Sequence, residues 1–271
     1  MKIDAHQHFW AIARGDYGWL TPDIAPLYHD FQPRDLRPHL SACGVDGTVL
    51  VQAAPTDAET TYMLSLAAQN DFILGVVGWV DFEATDAPDQ IAALAQNPKL
   101  VGLRPMIQDI ADDAWMLRPA LSPAFEAMIA HDLTFDALVQ PRHLDTLMTL
   151  LDHHPMLRTV IDHGAKPDIR AGHFDDWATG MARLASDTNA HCKLSGLVTE
   201  ANADWTPTDI APYVAHLLSC FGPERVIWGS DWPVSTLAAT YQRWHDVALA
   251  LVGADHPSVF GGTAQKAYRL A

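Results

Sequence analysis

Short apolar runs recur along the whole chain and alternate with longer segments carrying Ala and Leu at helical spacing, the pattern of a parallel sheet built from βα units. Eight such runs are legible: Ile3 to His6, Gly47 to Gln52, Ile73 to Val80, Leu100 to Arg104, Thr134 to Gln140, Thr159 to His163, Cys192 to Ser195 and Arg225 to Ser230. Each is rich in Val, Ile or Leu, as strands buried on both faces are. Between them, Ala58 to Asn70, Ala87 to Gln96, Pro119 to His131, Arg142 to His153 and Pro207 to Cys220 read as helices. Thr206 before Pro207 sets a hydroxyl at an N-cap and a proline at the first helical position, and Ser122-Pro123 reads the same way. His153-His154 reads as the cap of a helix C-terminus.

Eight strand-helix units in 271 residues predict an α/β fold, a (β/α)8 barrel of about 250 residues, although periodicity alone leaves an open doubly wound sheet as the other arrangement. No repeat, linker or composition break divides the chain, so residues 1–271 read as one domain. In a barrel the first and last strands become neighbours about 4.8 Å apart, so the two ends of the sequence should touch. The longest aperiodic stretch, residues 9–36, holds Trp10, Tyr17, Trp19, Tyr28 and several prolines. It follows the first strand and predicts a lid or specificity loop over the barrel mouth.

Polar groups gather where these runs end. His6 and His8, two apart on the first strand, share a face with Cα atoms about 6.5 to 7 Å apart. Asp231 follows the last run and falls beside them if the barrel closes; His163 ends the sixth run and Arg104 the fourth. A strand-end aspartate is often a helix cap, and a lone strand-end histidine is often only a hydrogen-bonded structural group. Convergence of these groups on one face favours chemistry. A buried arginine needs a partner, for which a substrate oxygen qualifies. Weaker candidates are Gln140 at the fifth run, Lys166 after His163, and Lys193, Ser195 and Glu200 around the seventh. Trp10, Trp19 and Trp232 fall near the mouth, where an aromatic face can pack on the C–H face of a sugar ring.

Composition narrows the partners. Asp and Glu number 33 against 17 Lys and Arg, a net charge of −16, which argues against nucleic acid or an anionic membrane. Cys43, Cys192 and Cys220 make no Cys-x-x-Cys spacing, so neither a disulfide framework nor a zinc knot is indicated, and a reducing cytoplasm is the expected compartment. No apolar stretch reaches the roughly 18 residues of a membrane helix, and the N-terminus lacks a secretory pattern.

Taken together, Asp4-Ala5-His6-Gln7-His8-Phe9-Trp10, Gly102-Leu103-Arg104-Pro105, Asp162-His163-Gly164-Ala165-Lys166-Pro167, Lys193-Leu194-Ser195-Gly196-Leu197 and Gly229-Ser230-Asp231-Trp232-Pro233 resemble the amidohydrolase superfamily. The likeness is to its sugar-lactone and pyrone-lactone hydrolases, including those acting on L-fuconolactone and L-rhamnonolactone. The resemblance implies a distorted (β/α)8 TIM barrel and a sugar-derived lactone as small-molecule substrate. By motif position it implies that His6, His8, His163 and Asp231 can hold one divalent metal ion, zinc above others, which catalysis need not require. Binuclear members add a bridging lysine or glutamate and a further histidine where this chain has Arg104 and Gln140, so a two-metal centre is not expected. Asp231 is then the expected base toward water, Arg104 and His163 act on the carbonyl and leaving oxygen, and His6, His8, Trp19, Gln140 and Lys166 contact substrate. A metal-dependent decarboxylase of aromatic acids, a related branch, is the alternative, and a homo-oligomer is compatible with either.

Overall fold

The computed structural model describes residues 1–253 and 255–270. Among these, eight strands run parallel in sequence order, each hydrogen-bonded to the next: β1 (Ile3–Gln7), β2 (Gly47–Val51), β3 (Ile73–Gly78), β4 (Leu100–Leu103), β5 (Thr134–Ala137), β6 (Thr159–Ile161), β7 (His191–Leu194) and β8 (Val226–Trp228). Around them lie α1 (Pro33–Cys43), α2 (Asp57–Gln69), α3 (Ala87–Leu94), α4 (Ser122–Ala130), α5 (Leu144–His153), α6 (Asp175–Asp187), α7 (Leu197–Glu200), α8 (Pro207–Phe221), α9 (Tyr241–Val252) and α10 (Gly262–Tyr268). The fold is the expected (β/α)8 barrel.

Closure is made where the two ends of the sequence meet. The Asp231 amide donates to the His6 carbonyl at 2.8 Å and the His8 amide to the Trp232 carbonyl at 2.8 Å. The Asp4 carboxylate accepts from the Ser230 amide at 2.8 Å. Glycine is required at this seam, because a Cβ on Gly229 would stand 2.6 Å from Cβ of His6.

Small and branched residues fill the interior. Ile3, Ala5, Val49, Val51, Val77, Val101, Val160 and Ile227 pack with Ala264, Ala267 and Tyr268 of α10, which thereby plugs the end of the barrel opposite the strand C-termini. A larger core lies between the sheet and the outer helices, including Leu50, Val76, Leu103, Leu194 and Trp228.

The strands stop short of several predicted run ends, and the difference has one cause. Gln140, His163 and Ser230 lie beyond the ends of β5, β6 and β8, and Arg104, one residue past β4, still donates its amide to the Gly78 carbonyl at 2.8 Å, so the apolar count continues beyond the sheet. Thr206 and Asp209 make the reciprocal cap expected at α8. Ser122 does not cap α4: it is the first helical residue, its hydroxyl turns to Glu126, and a short 3-10 turn over Pro119–Leu121 leads in. The aperiodic stretch ends earlier than residue 36, because Gln32 and Asp35 cap α1 reciprocally. Its two arms are pinned by paired backbone bonds between Trp10 and Phe31, both 3.0 Å. Among the described residues no helix is long and apolar enough to cross a membrane.

Candidate active site

At the C-terminal ends of the strands lies a cavity of about 260 Å³, lined by His8, Arg104, His163, Lys166 and Asp231 among polar residues and by Trp19, Ala53, Met106, Leu138 and Val234 among apolar ones. The first strand supplies its histidines through a break in the β pattern. The register of β1 against β2 shifts between Asp4 and Gln7, which allows Ala5 and His6 both to turn inward despite being adjacent. His163 and Asp231 instead reach the mouth from left-handed backbone, at φ 53° and 56°. Such non-glycine residues cost free energy and persist where surrounding structure fixes them.

Asp231 sits among three imidazoles. Its Oδ1 is 3.3 Å from His8 Nε2 and 3.8 Å from His6 Nε2, and the His6 ring centroid lies 4.4 Å from that of His163. Burial raises the carboxyl pKa, but His163, His8 and His6 more than offset it and hold the group below the usual carboxylate range. Burial in turn lowers His163 to about 4, against the pull of Asp231 and Asp162, so that imidazole is neutral at neutral pH. The Nδ1 of His163 meets the Ser195 hydroxyl at 3.0 Å, and Gly196, at φ +65°, lets the loop lie against the ring.

Arg104 is held from two sides. It donates from NH1 to Asp162 at 3.2 Å and from NH2 to the Gln52 carbonyl, while the Gln52 side chain returns a bond to the Arg104 carbonyl at 2.9 Å. The partner foreseen as a substrate oxygen is thus Asp162 in part; Arg104 still lines the cavity, while its Nε is buried without a partner. Lys166 is placed at the cavity by Gln108, 2.9 Å away, and Glu200, 3.4 Å away. Trp19 lines the cavity and donates its indole N–H to the Ala53 carbonyl at 2.7 Å.

Two expected substrate contacts are placed elsewhere. His6 is fully buried beneath the cavity rather than lining it. Gln140 lies outside the cavity and caps the short helical turn after β5, its backbone N–H bonded to His143 at 3.1 Å. A glutamine at the end of an apolar run looks the same in sequence whether it caps or contacts.

Lys193, expected only as a weak ligand contact, instead forms the floor of the site with Asp162 and with Asp136, which the sequence did not single out. Lys193, Asp136 and Asp162 are all fully buried, with Lys193 Nζ ion-paired to Asp136 Oδ2 and to Asp162 Oδ1, the latter at 2.9 Å. Tyr268 donates to Asp136 at 2.8 Å. Burial raises Asp136 to about 6 despite Lys193. For Asp162 burial is outweighed by Lys193, His6 and Arg104, so it is held well below the ordinary value.

Ligand atoms of His6, His163 and Asp231 lie within 4.8 Å of one another, whereas His8 falls outside that grouping. Two imidazoles and a carboxylate, all buried, form a donor set that zinc accepts with a coordination position left open, so the residues fit one ion.

The amidohydrolase family profile matches residues 3–270. The chain belongs to that family. It is 48% identical over 99% of its length, and 96% of the relative's, to an L-fucono-1,5-lactonase of Burkholderia ambifaria. It is 34% identical over 100% of its length to an L-fucono-1,5-lactonase of Burkholderia multivorans, of which 96% is covered. A crystal structure of a Burkholderia multivorans amidohydrolase with bound zinc superimposes with a TM-score of 0.94 at 32% identity over the whole of both chains. This chain is accordingly an enzyme of the amidohydrolase family.

Proposed function

We propose that this amidohydrolase opens a sugar-derived lactone to its aldonic acid, with an L-fucono-1,5-lactone-like ring as substrate. The observation that carries the reading is one cavity lined both by an ionised carboxylate paired with an imidazole, Asp231 with His8, and by an anchored guanidinium, Arg104. A base and a fixed positive charge facing one space are what addition of water to a carbonyl requires. Full-length similarity to two L-fucono-1,5-lactonases supports the substrate class. A cavity of about 260 Å³ suits a single sugar ring, with Trp19 available to its C–H face and Lys166, Asp109 and Thr199 to its hydroxyls.

In this reading Asp231 accepts a proton from water as the water oxygen adds to the lactone carbonyl. Arg104 stabilises the resulting tetrahedral oxyanion. The proton that Asp231 gained is passed on to the departing ring oxygen as the C–O bond breaks, with His163, whose Nδ1 can accept from Ser195, hydrogen-bonding that oxygen through its other nitrogen. The lactone and one water become one hydroxy acid, with no redox step. An ion held by His6, His163 and Asp231 would add Lewis-acid polarisation of the carbonyl. A lactone is an activated ester, so the chain's own donors suffice in this account.

A panel of aldono-lactones with a pH indicator, run with and without chelator beside an aromatic carboxylic acid, tests the proposal. Acid release from L-configured 1,5-lactones is expected. Chelator-sensitive loss of CO2 from the aromatic acid, with every lactone untouched, would replace it with the decarboxylase reading.

A further inference from the structure

Thr56 and Glu59 stand at the N-cap and third position of α2, the spacing of a reciprocal cap in which the glutamate ordinarily turns back to the cap's own N–H. Only half of that cap is made. The Thr56 hydroxyl accepts from the Glu59 amide at 3.1 Å, but the Thr56 N–H goes to the Ala54 carbonyl at 3.0 Å, and the Glu59 side chain passes on into the interior, fully buried. There its Oε1 accepts from the Ala53 amide at 3.2 Å and its Oε2 from the Tyr17 hydroxyl at 2.7 Å, with Arg14 3.8 Å away. The Ala53 N–H is one end of the Gln52–Ala53 peptide group. At the other end the Gln52 carbonyl accepts from Arg104 NH2. A peptide group is planar, so an acceptor that holds its N–H also aims its C=O, and donation from the N–H makes that C=O a better acceptor. The next carbonyl along, that of Ala53, holds the Trp19 indole at 2.7 Å.

We infer that Glu59 is a positioning residue for Arg104: from behind the cavity it orients the Gln52–Ala53 peptide whose carbonyl anchors the guanidinium, and through Tyr17 it ties the seating of the loop over the mouth to that anchor. Glu59 does not line the cavity and touches no substrate. Its effect reaches the reaction only through groups that do. A carboxyl that merely fastened the loop would change the stability of the fold and leave the turnover of each folded molecule alone. The inference rests on the lactone reading for the role of Arg104 at the oxyanion; the anchoring itself is independent of substrate.

Glu59→Met removes both acceptors at similar volume, and kcat is expected to fall about 10- to 100-fold, the scale on which misplacing a reacting group from a distance acts. KM should rise no more than about threefold, through Trp19. Glu59→Gln can turn its amide oxygen to the Ala53 N–H and its NH2 to the Tyr17 oxygen, so kcat should stay within about threefold of the parent. Added to Arg104→Lys, Glu59→Met should cost less than about a further threefold, since the two residues act as a unit. An unchanged kcat in folded Glu59→Met, or losses that multiply, overturns the inference. Thermal melts verify folding; should the methionine variant not fold, Glu59→Asp, which keeps a carboxyl one methylene short of Ala53, is read by the same criteria. The Nε–H resonance of Arg104, assigned through Arg104→Lys, reads the anchor without substrate. It should be sharp in the parent and in Glu59→Gln and broadened in Glu59→Met or Glu59→Asp; a resonance that does not change overturns the inference. If it broadens while the parent hydrolyses no lactone, the functional reading fails and the anchoring by Glu59 stands.

Discussion

His8 Nε2 lies 3.3 Å from Asp231 Oδ1 while Nδ1 of the same ring lies 2.8 Å from the Val51 carbonyl oxygen. A carbonyl can only accept, so Nδ1 carries a proton, and in the neutral ring the Nε2 lone pair faces the carboxylate. Two acceptors at that distance need a proton between them or a donor such as water spanning both. The pair is thus a joint receptor for the proton that water loses, which explains how a carboxylate held at low pKa can still act as a base. Acting as a unit, the two residues should be non-additive. His8→Gln and Asp231→Asn are each expected to lower kcat/KM, and the double variant to be no more than about tenfold worse than the worse single one. Losses that multiply would separate the two roles.

Trp19 is a wall of the cavity rather than a reacting group, tied to Ala53 and packed edge-on to Trp10 with ring centroids 5.4 Å apart. Trp19→Ala should remove contacts made alike in ground and transition states, raising KM several-fold while kcat stays within about twofold. Steady-state kinetics on the preferred lactone checks this, and a fall in kcat at unchanged KM would give Trp19 a transition-state role.

Beneath that loop, buried Glu59 accepts from the Tyr17 hydroxyl at 2.7 Å and from the Ala53 amide at 3.2 Å. Burial raises its pKa to about 7, above the roughly 4.3 of a free glutamate. The folded state therefore holds the proton more tightly than the unfolded chain. The stabilisation this provides is full below about pH 4.3 and is lost as pH rises through 7. Glu59→Gln lacks this titration, so the stability gap between wild type and variant should narrow from pH 5 to pH 8, by at most about 1.4 kcal/mol per unit. Thermal melts across that range measure the gap; a gap that widens with pH would contradict the assignment.

At the seam, Gly229→Ala forces a methyl against His6. Overpacking of this kind costs about 1 to 3 kcal/mol. Because the displaced residue belongs to the site, denaturant unfolding should show the loss together with reduced turnover. A variant as stable and active as the parent would mean that the two ends do not meet as described.

How much of this was legible depended on whether a residue's neighbours in sequence were also its neighbours in space. The strands announced themselves through Val, Ile and Leu, and His163, Arg104 and Asp231 through their position after apolar runs. Meeting of the two chain ends followed from eight strands only if the sheet closed into a barrel, which periodicity could not separate from an open doubly wound sheet. Lys193 was legible only as a weak ligand contact and Asp136 not at all, because their pairing exists only once the barrel brings β5 and β7 together. Gln140 misled for the converse reason: its own backbone and His143 use it locally. The inward turn of His6 beside inward Ala5 depends on a register shift that no period-2 pattern encodes.

The central claim is that Asp231 takes the proton of the attacking water, and the rate of L-fucono-1,5-lactone hydrolysis by Asp231→Asn tests it most directly. Loss of a general base costs about 100- to 10,000-fold, so kcat is expected to fall by that factor in a variant whose melting curve still shows a folded barrel. Hydrolysis at the parental rate by folded Asp231→Asn would contradict the account.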